Sequence, residues 1–279
     1  MEIHEIESTT ARHSRSQTSS IWVALETVEI GGHRIVRASR QQLTDAMLTD
    51  CKAAKSTMQG NRARLVFDAN GHGIALASSD KNYKECIESA DIIHADGGFI
   101  VTLSRFICKK RILERSATTD LFHDFAKACE ENGLSFYLLG GTEDVNRLCS
   151  ETLARMYPSL RIVGRRNGYF SEEEEPQVVD DINSTSPDVL WIGLGKPKEQ
   201  AFALRWRNSL NARWAVTCGG CYNYITGHYP RAPKWMQRMN IEWLHRAASN
   251  PKHLLWRYLT TSPYALWIIA YYAVRKNRT

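Results

Sequence analysis

At 279 residues with 43% hydrophobic side chains, the chain can bury one large core, or a core plus an appendage. Residues 1–20 are polar and lack an apolar h-region, which excludes a signal peptide and predicts disorder; seven cysteines without framework spacing exclude a disulfide scaffold and suit a reducing cytosol. The net charge of +6 is uneven: from His228 onward nine Lys or Arg face one acid, Glu242, and such a basic end on a near-neutral body predicts an anionic partner, be it nucleic acid, a phosphorylated ligand or a membrane surface.

In chain order, residues 21–28 alternate loosely as a strand. Gly31-Gly32 turns it into a second run over 34–37, predicting a β-hairpin. Residues 41–58 carry apolar side chains at helical spacing, with Ser39 as cap. A short strand over 64–67 ends in Asp68-Ala69-Asn70-Gly71-His72, and a helix follows to about Glu88. The next strand, 91–95, runs straight into Asp96-Gly97-Gly98 and a short apolar helix over 99–106. Residues 118–131 form a well-marked helix, opening on Thr-Thr-Asp and stopping at Gly133. A strand over 134–139 closes on Gly140-Gly141-Thr142, and a helix runs on to Met156. Then come a strand over 160–163, an acidic helix over 171–184, the apolar strand 189–192 and a last strand over 214–217.

Strands alternating with helices about six times predict an α/β class, Rossmann-like, with a parallel sheet and helices on both faces. This core is predicted to span residues 21–227. The first βα turn lacks G-x-G-x-x-G, so a dinucleotide site is a weak reading. Beyond Gly227, Pro230, Pro233, Pro251 and Pro263 cut a basic, aromatic-rich helical appendage (228–279) into short helices over 234–239, 241–248, 252–259 and 264–274. The last holds eleven apolar residues in a row, too few to span a bilayer. With Trp256, Trp267, Tyr271 and Tyr272 beside Arg257, Arg275 and Lys276, it suits a membrane interface; the plainer alternative packs these aromatics on the core.

Three stretches carry chemistry. In PDVLWIGLGKPKEQAFALRWR, an apolar strand meets Gly193 and Gly195 and then a helix start at Pro197, a geometry that offers backbone N–H groups to an anion. Lys198 on this turn is placed to help neutralise a diphosphate. In ADIIHADGGFIV, Asp96 ends a strand where open α/β sheets place their ligands, and Gly97 behind it lets a substrate approach. Asp68 and Asn70 end the preceding strand and are expected in the same crevice. Gly140 and Gly141 read equally as a phosphate or ribose turn and as a plain helix entry. A lone Cys218-x-x-Cys221 is a weak metal or redox signal.

Together with CGGCYNYITGHYPRAPKWMQRMNIEWLHR, these stretches resemble the WecG/TagA/CpsF glycosyltransferases from about Ile21 to Leu259. The resemblance implies an inverting transfer of a hexose-type sugar from a UDP-sugar donor to a polyprenyl-diphosphate-linked acceptor, in surface polysaccharide or exopolysaccharide synthesis. It implies a cytoplasmic protein held peripherally at the inner face of the cell membrane by the appendage, which also acts as a lid. Asp96 falls on the proposed base of the family's A-D-G motif, which would need its pKa raised by partial desolvation. Asn70 matches the family's Thr-x-Asn while Asp68 departs from it; a second carboxylate there could raise the pKa of Asp96 or bind acceptor hydroxyls. Arg115, Thr119 and Asp120 fall in the E-R-x-x-G-x-D segment, with Arg115 a candidate phosphate partner, or else a surface ion pair. Glu199 and Gln200 transpose the family's Gln-Glu. Gly219, Gly220 and Asn223 fall on the stretch said to line the uridine pocket, with Asn223 in place of Asp. Arg231, Arg246 and Arg257 match tail positions implied to close on the diphosphate, and His253 stands where relatives often carry Arg. The chain has no Asp-x-Asp pair, so the expectation is a metal-independent reaction with no cofactor and no nucleic acid partner. A homo-oligomer is compatible with this reading. The alternative is a nucleotide-binding α/β enzyme of another reaction class.

Overall fold

The computed structural model describes residues 21–57, 62–249 and 256–276. The predicted disorder of residues 1–20, His253, and the side chain of Arg257 lie outside them.

Six short strands form one parallel sheet: β3 (Arg64–Ala69), β4 (Ile92–Ala95), β5 (Ser135–Gly140), the Arg-rich edge strand β6 (Arg161–Arg166), β7 (Val189–Gly193) and β8 (Trp214–Thr217), in the order β4-β3-β8-β7-β5-β6. Its central strands are apolar on both faces, as a parallel sheet covered by helices requires. Alternate residues feed two cores. Leu65, Phe67, Leu190 and Ile192 pack on one side; Val66, Trp191, Trp214 and Val216 pack on the other with Phe122, Phe125 and Phe136. The hairpin β1 (Thr27–Ile30) and β2 (His33–Val36) turns on Gly31 and Gly32, both at positive φ, after a single 3₁₀ turn over Ile21–Ala24.

The helices of the core are α1 (Arg40–Thr57), α2 (Gly71–Ser79), α3 (Lys81–Glu88), α4 (Gly98–Ile107), α5 (Thr118–Glu131), α6 (Glu143–Met156), α7 (Glu175–Thr185), α8 (Lys198–Trp206) and α9 (Cys221–Ile225). The single helix expected up to Glu88 is two. Asp80 is extended, and its side chain accepts from the N–H of Tyr83 to cap α3. The acidic helix expected over 171–184 begins instead as a 3₁₀ turn over Glu172–Glu174, with Ser171 and Glu174 forming a capping box ahead of α7.

The appendage contributes α10 (Lys234–Arg238), α11 (Glu242–Ser249) and α12 (Trp256–Lys276). Pro263 was expected to separate two helices, but α12 runs through it. Tertiary packing outweighs the missing N–H: Ala265, Ile268 and Ile269 are buried in the core cluster, and Tyr264 Oη lies 3.0 Å from Ser78 Oγ on α2. A Cβ on Gly32 would come within 2.9 Å of the Tyr272 ring, so the hairpin turn and α12 are in direct contact. Among the described residues no helix is long and apolar enough to cross a membrane.

Candidate active site

Four neighbouring strands, β4, β3, β8 and β7, end side by side and place Asp96, Asp68, Asn70, Gly219, Gly220, Gly195 and Lys196 on one cavity of about 680 Å³. This is the carboxyl end of the sheet, where the topology opens a crevice. The appendage roofs it with Asn240, Glu242, Trp243 and Arg246, and α12 adds Leu259, Ser262, Pro263 and Leu266 along one rim. A Cβ on Gly98 would lie 2.6 Å from that of Asn240, so only glycine admits the roof this close.

Asp96 faces this cavity. Its Oδ1 accepts from the Thr118 N–H at 2.9 Å, and its backbone carbonyl accepts from Arg115 Nε at 2.7 Å. The backbone N–H groups of Asp96 and Gly97 both donate to the Ala69 carbonyl, locking the strand end to β3. Sequence reasoning expected burial to raise this carboxyl. Burial does oppose its charge, but Arg115, Arg246 and the Thr118 N–H outweigh it and hold the group at about 2. Lys196 Nζ donates to Asp68 Oδ1 and offsets the charge of that second carboxylate.

Asp68 and Lys196 are a buried pair, with side chains 6% and 10% exposed. Asn70 completes the unit: its Nδ2 donates to Asp68 Oδ2 at 2.7 Å, and its Oδ1 caps α2 by accepting from the Gly73 N–H at 2.9 Å. Burial disfavours the Lys196 ammonium, yet Asp68 and Glu199 hold its pKa above the ordinary value. Glu199, fully buried, accepts from the N–H groups of Gly195 (3.1 Å) and Gly219 (2.9 Å), tying together the two glycine turns after β7 and β8. Gln200 lies beneath, its Nε2 donating to Glu199 Oε1 at 3.2 Å, and does not reach the cavity.

Burial first, and Asp68 after it, push Glu199 up from 4.5 to about 7 against the pull of Lys196 and the two N–H donors. The folded protein therefore holds this proton where the unfolded chain has released it. The stability this contributes is full below about pH 4.5 and is lost as pH rises through about 7. Glu199→Gln is expected to be more stable than wild type at pH 8 by up to about 3 kcal/mol. The advantage should vanish at pH 5, read by urea unfolding at both pH values; a pH-independent difference would contradict it.

Three guanidiniums converge on Glu242, whose side chain is 3% exposed; Arg115 and Arg246 line the cavity with it, and Arg231, expected there, does not. Arg115 Nη1 lies 2.8 Å from Oε2; Arg246 Nη2 and Arg231 Nε lie 3.2 and 3.5 Å from Oε1. Arg115 is thus engaged inside the site rather than in a surface pair with Glu114 or Asp120; Glu114 binds Arg40 instead. Arg231 also donates to Thr119 Oγ1 at 2.7 Å and Asp120 Oδ1 at 3.0 Å, and Arg246 sits 4.8 Å over the Tyr224 ring.

Other predicted residues stand apart. Lys198 is exposed and, with Gly141, lines a second hollow at the ends of β5, β6 and β7 alongside Gly168, Tyr169 and Phe170. Gly140 has no room for a side chain, since a Cβ would lie 2.2 Å from the Gly193 carbonyl oxygen. Asn223 on α9 is outside the main cavity's lining, and its carbonyl accepts from the Tyr229 N–H. Cys218 and Cys221, by contrast, do line the main cavity; they are free, buried thiols, and burial pushes both well above the ordinary value. Sequence reasoning missed Lys196, Glu242 and the Thr118 N–H. Lys196 carries a signal in the glycine turn it follows, and Glu242 in being the one acid of the basic tail.

The family model described as "Glycosyl transferase WecG/TagA/CpsF family" matches residues 28–279. Two relatives named N-acetylglucosaminyldiphosphoundecaprenol N-acetyl-beta-D-mannosaminyltransferase are similar along most of their length. The one from Bacillus subtilis (strain 168) is 28% identical over 200 residues, 70% of this chain and 75% of that protein. The one from Bacillus spizizenii (strain ATCC 23059 / NRRL B-14472 / W23) is 28% identical over 203 residues, 73% and 77% respectively.

Proposed function

The chain belongs to the glycosyl transferase WecG/TagA/CpsF family, and from that premise we propose that it moves a hexose-type sugar from a UDP-sugar onto a saccharide carried on polyprenyl diphosphate, with inversion. Asp96 takes the proton of the acceptor hydroxyl as its oxygen bonds to the sugar's anomeric carbon. The bond from that carbon to the diphosphate breaks, and its electron pair leaves with UDP. Arg115 and Arg246, with Arg231 behind them on Glu242, stabilise the charge that develops there, a task of fixed donors in a water-poor cleft. Gly97, Gly195, Gly219 and Gly220 keep the backbone open to the substrate. The relatives' names support a lipid-diphosphate-linked acceptor. One observation carries the reading: a carboxylate, Asp96, and two guanidiniums, Arg115 and Arg246, line a single cavity at the sheet's carboxyl end. Release of UDP from a UDP-sugar that requires vesicles bearing a polyprenyl-diphosphate saccharide tests it; release equal without acceptor would count against it.

The appendage is proposed to bring the cavity to a membrane surface. On α12, Tyr264, Trp267 and Tyr271 form a stacked, exposed ridge with ring centroids 6.2 and 5.8 Å apart, while Leu259 and Leu266 of the same helix line the cavity rim. Trp267→Glu with Tyr271→Glu is expected to weaken binding to anionic vesicles by about tenfold, the scale of one large apolar side chain left in water. Cosedimentation reads it, and unchanged partitioning would place the docking surface elsewhere.

A further inference from the structure

Glu242 opens α11, and its carboxylate is the only acid within the appendage's predicted bounds. It is nearly sealed from water, yet it meets three cations drawn from two parts of the fold: Arg115 from the loop before α5, and Arg231 and Arg246 from the appendage. Arg115 and Arg246, which both line the cavity, hydrogen-bond it at 2.8 and 3.2 Å, while Arg231 lies outside the lining and is shared with Asp120. Burial opposes its ionisation, but Arg246, Arg115 and Arg231 together hold it below the ordinary value, so it is an anion. One carboxylate shared between the two cavity-lining guanidiniums is a weaker partner than a diphosphate, which brings more charge and more acceptor oxygens.

We propose that Glu242 is a positioning residue that stands in for the diphosphate of the substrate. Without substrate it keeps the mutually repelling guanidiniums of Arg115 and Arg246 gathered beside Asp96 and ties α11 to the core. The incoming diphosphate takes the arginines over, and Glu242 recaptures them as UDP leaves. The inference deepens the proposed function and rests on its reading of the arginine cluster as a diphosphate site. A plain structural brace would instead support the same arginines and strengthen anion binding.

The test is calorimetric titration of the full chain with inorganic pyrophosphate. Glu242→Gln, which keeps the shape but drops the competing charge, is expected to bind pyrophosphate about tenfold tighter than wild type, the scale of one charge-assisted contact no longer displaced. Equal or weaker binding overturns the proposal. Where the variant is destabilised, it is purified in pyrophosphate and compared by thermal shift. The added ligand should then raise its melting temperature more than that of wild type, and an equal or smaller rise again overturns the proposal. Arg115→Gln separates the two levels. If it leaves wild-type pyrophosphate affinity unchanged, the arginine cluster is not the diphosphate site; if it weakens binding while Glu242→Gln does not tighten it, only the role given to Glu242 fails.

Discussion

Asp96→Asn is expected to lower sugar transfer by about 10³-fold, the usual scale for a lost general base, while UDP binding is retained and the fold loses about 2 kcal/mol, the stability that a carboxylate held at about 2 contributes at neutral pH. The substitution is nearly isosteric, and an Asn Oδ1 can still accept the Thr118 N–H that holds the present side chain. Asp96 is favoured over Asp68 because the oxygens of Asp68 are both taken, one by Lys196 and one by Asn70. A carboxyl held at about 2 is a weak base in the empty site. The cause of that depression also offers the remedy: a diphosphate bound to Arg115 and Arg246 neutralises the very charges that keep Asp96 acidic, so its proton affinity rises when substrate is present. The acid limb of kcat/KM, which reports the free enzyme, should therefore lie far below that of kcat, which reports the complex. Coincident limbs would sink this account, and full turnover in Asp96→Asn would shift the base to another group.

The parts of the site that were legible in the sequence are those fixed by local signals. An apolar run ending in Asp-Gly-Gly or Gly-x-Gly announces a strand end, and the parallel sheet brings Asp68, Asn70, Asp96 and Gly195 to one edge. The Thr-Thr-Asp start and Gly133 stop bounded α5 correctly for the same reason. Pairings across the fold were not legible. Lys196 and Lys198 are two residues apart in one motif, and only the former turns inward, to an Asp 128 positions away. Arg115 meets Glu242 across 127 positions, so its surface-pair alternative could not be dismissed locally. Pro263 is a strong local breaker, and the packing of Ala265, Ile268 and Ile269 overrode it. Nor could residue types show that the arginines, rather than burial, decide the charge state of Asp96.

Lys196→Met is expected to destabilise the protein by about 3–5 kcal/mol, because it strands the Asp68 carboxylate in a buried site without its cation. The double variant Lys196→Met/Asp68→Thr removes both charges, and such replacements are near neutral, so most of the loss should be recovered. Thr is the residue that the family pattern resembled here would place at position 68, and the Asp68 carboxylate is tolerated there because Lys196 is present. Glu199, where the pattern has Gln, belongs to the same unit, since Lys196 lowers its pKa and Asp68 raises it. Losing Lys196 alone should therefore move the titration of Glu199 higher still and extend the fall of stability to higher pH, whereas the double variant should not. A urea-unfolding cycle over the four proteins at pH 6 and pH 8 measures both effects. Additive single-variant losses would mean that Asp68 and Lys196 act independently; a large coupling that grows with pH would mean that Asp68, Lys196 and Glu199 form a single charged network on the floor of the cavity.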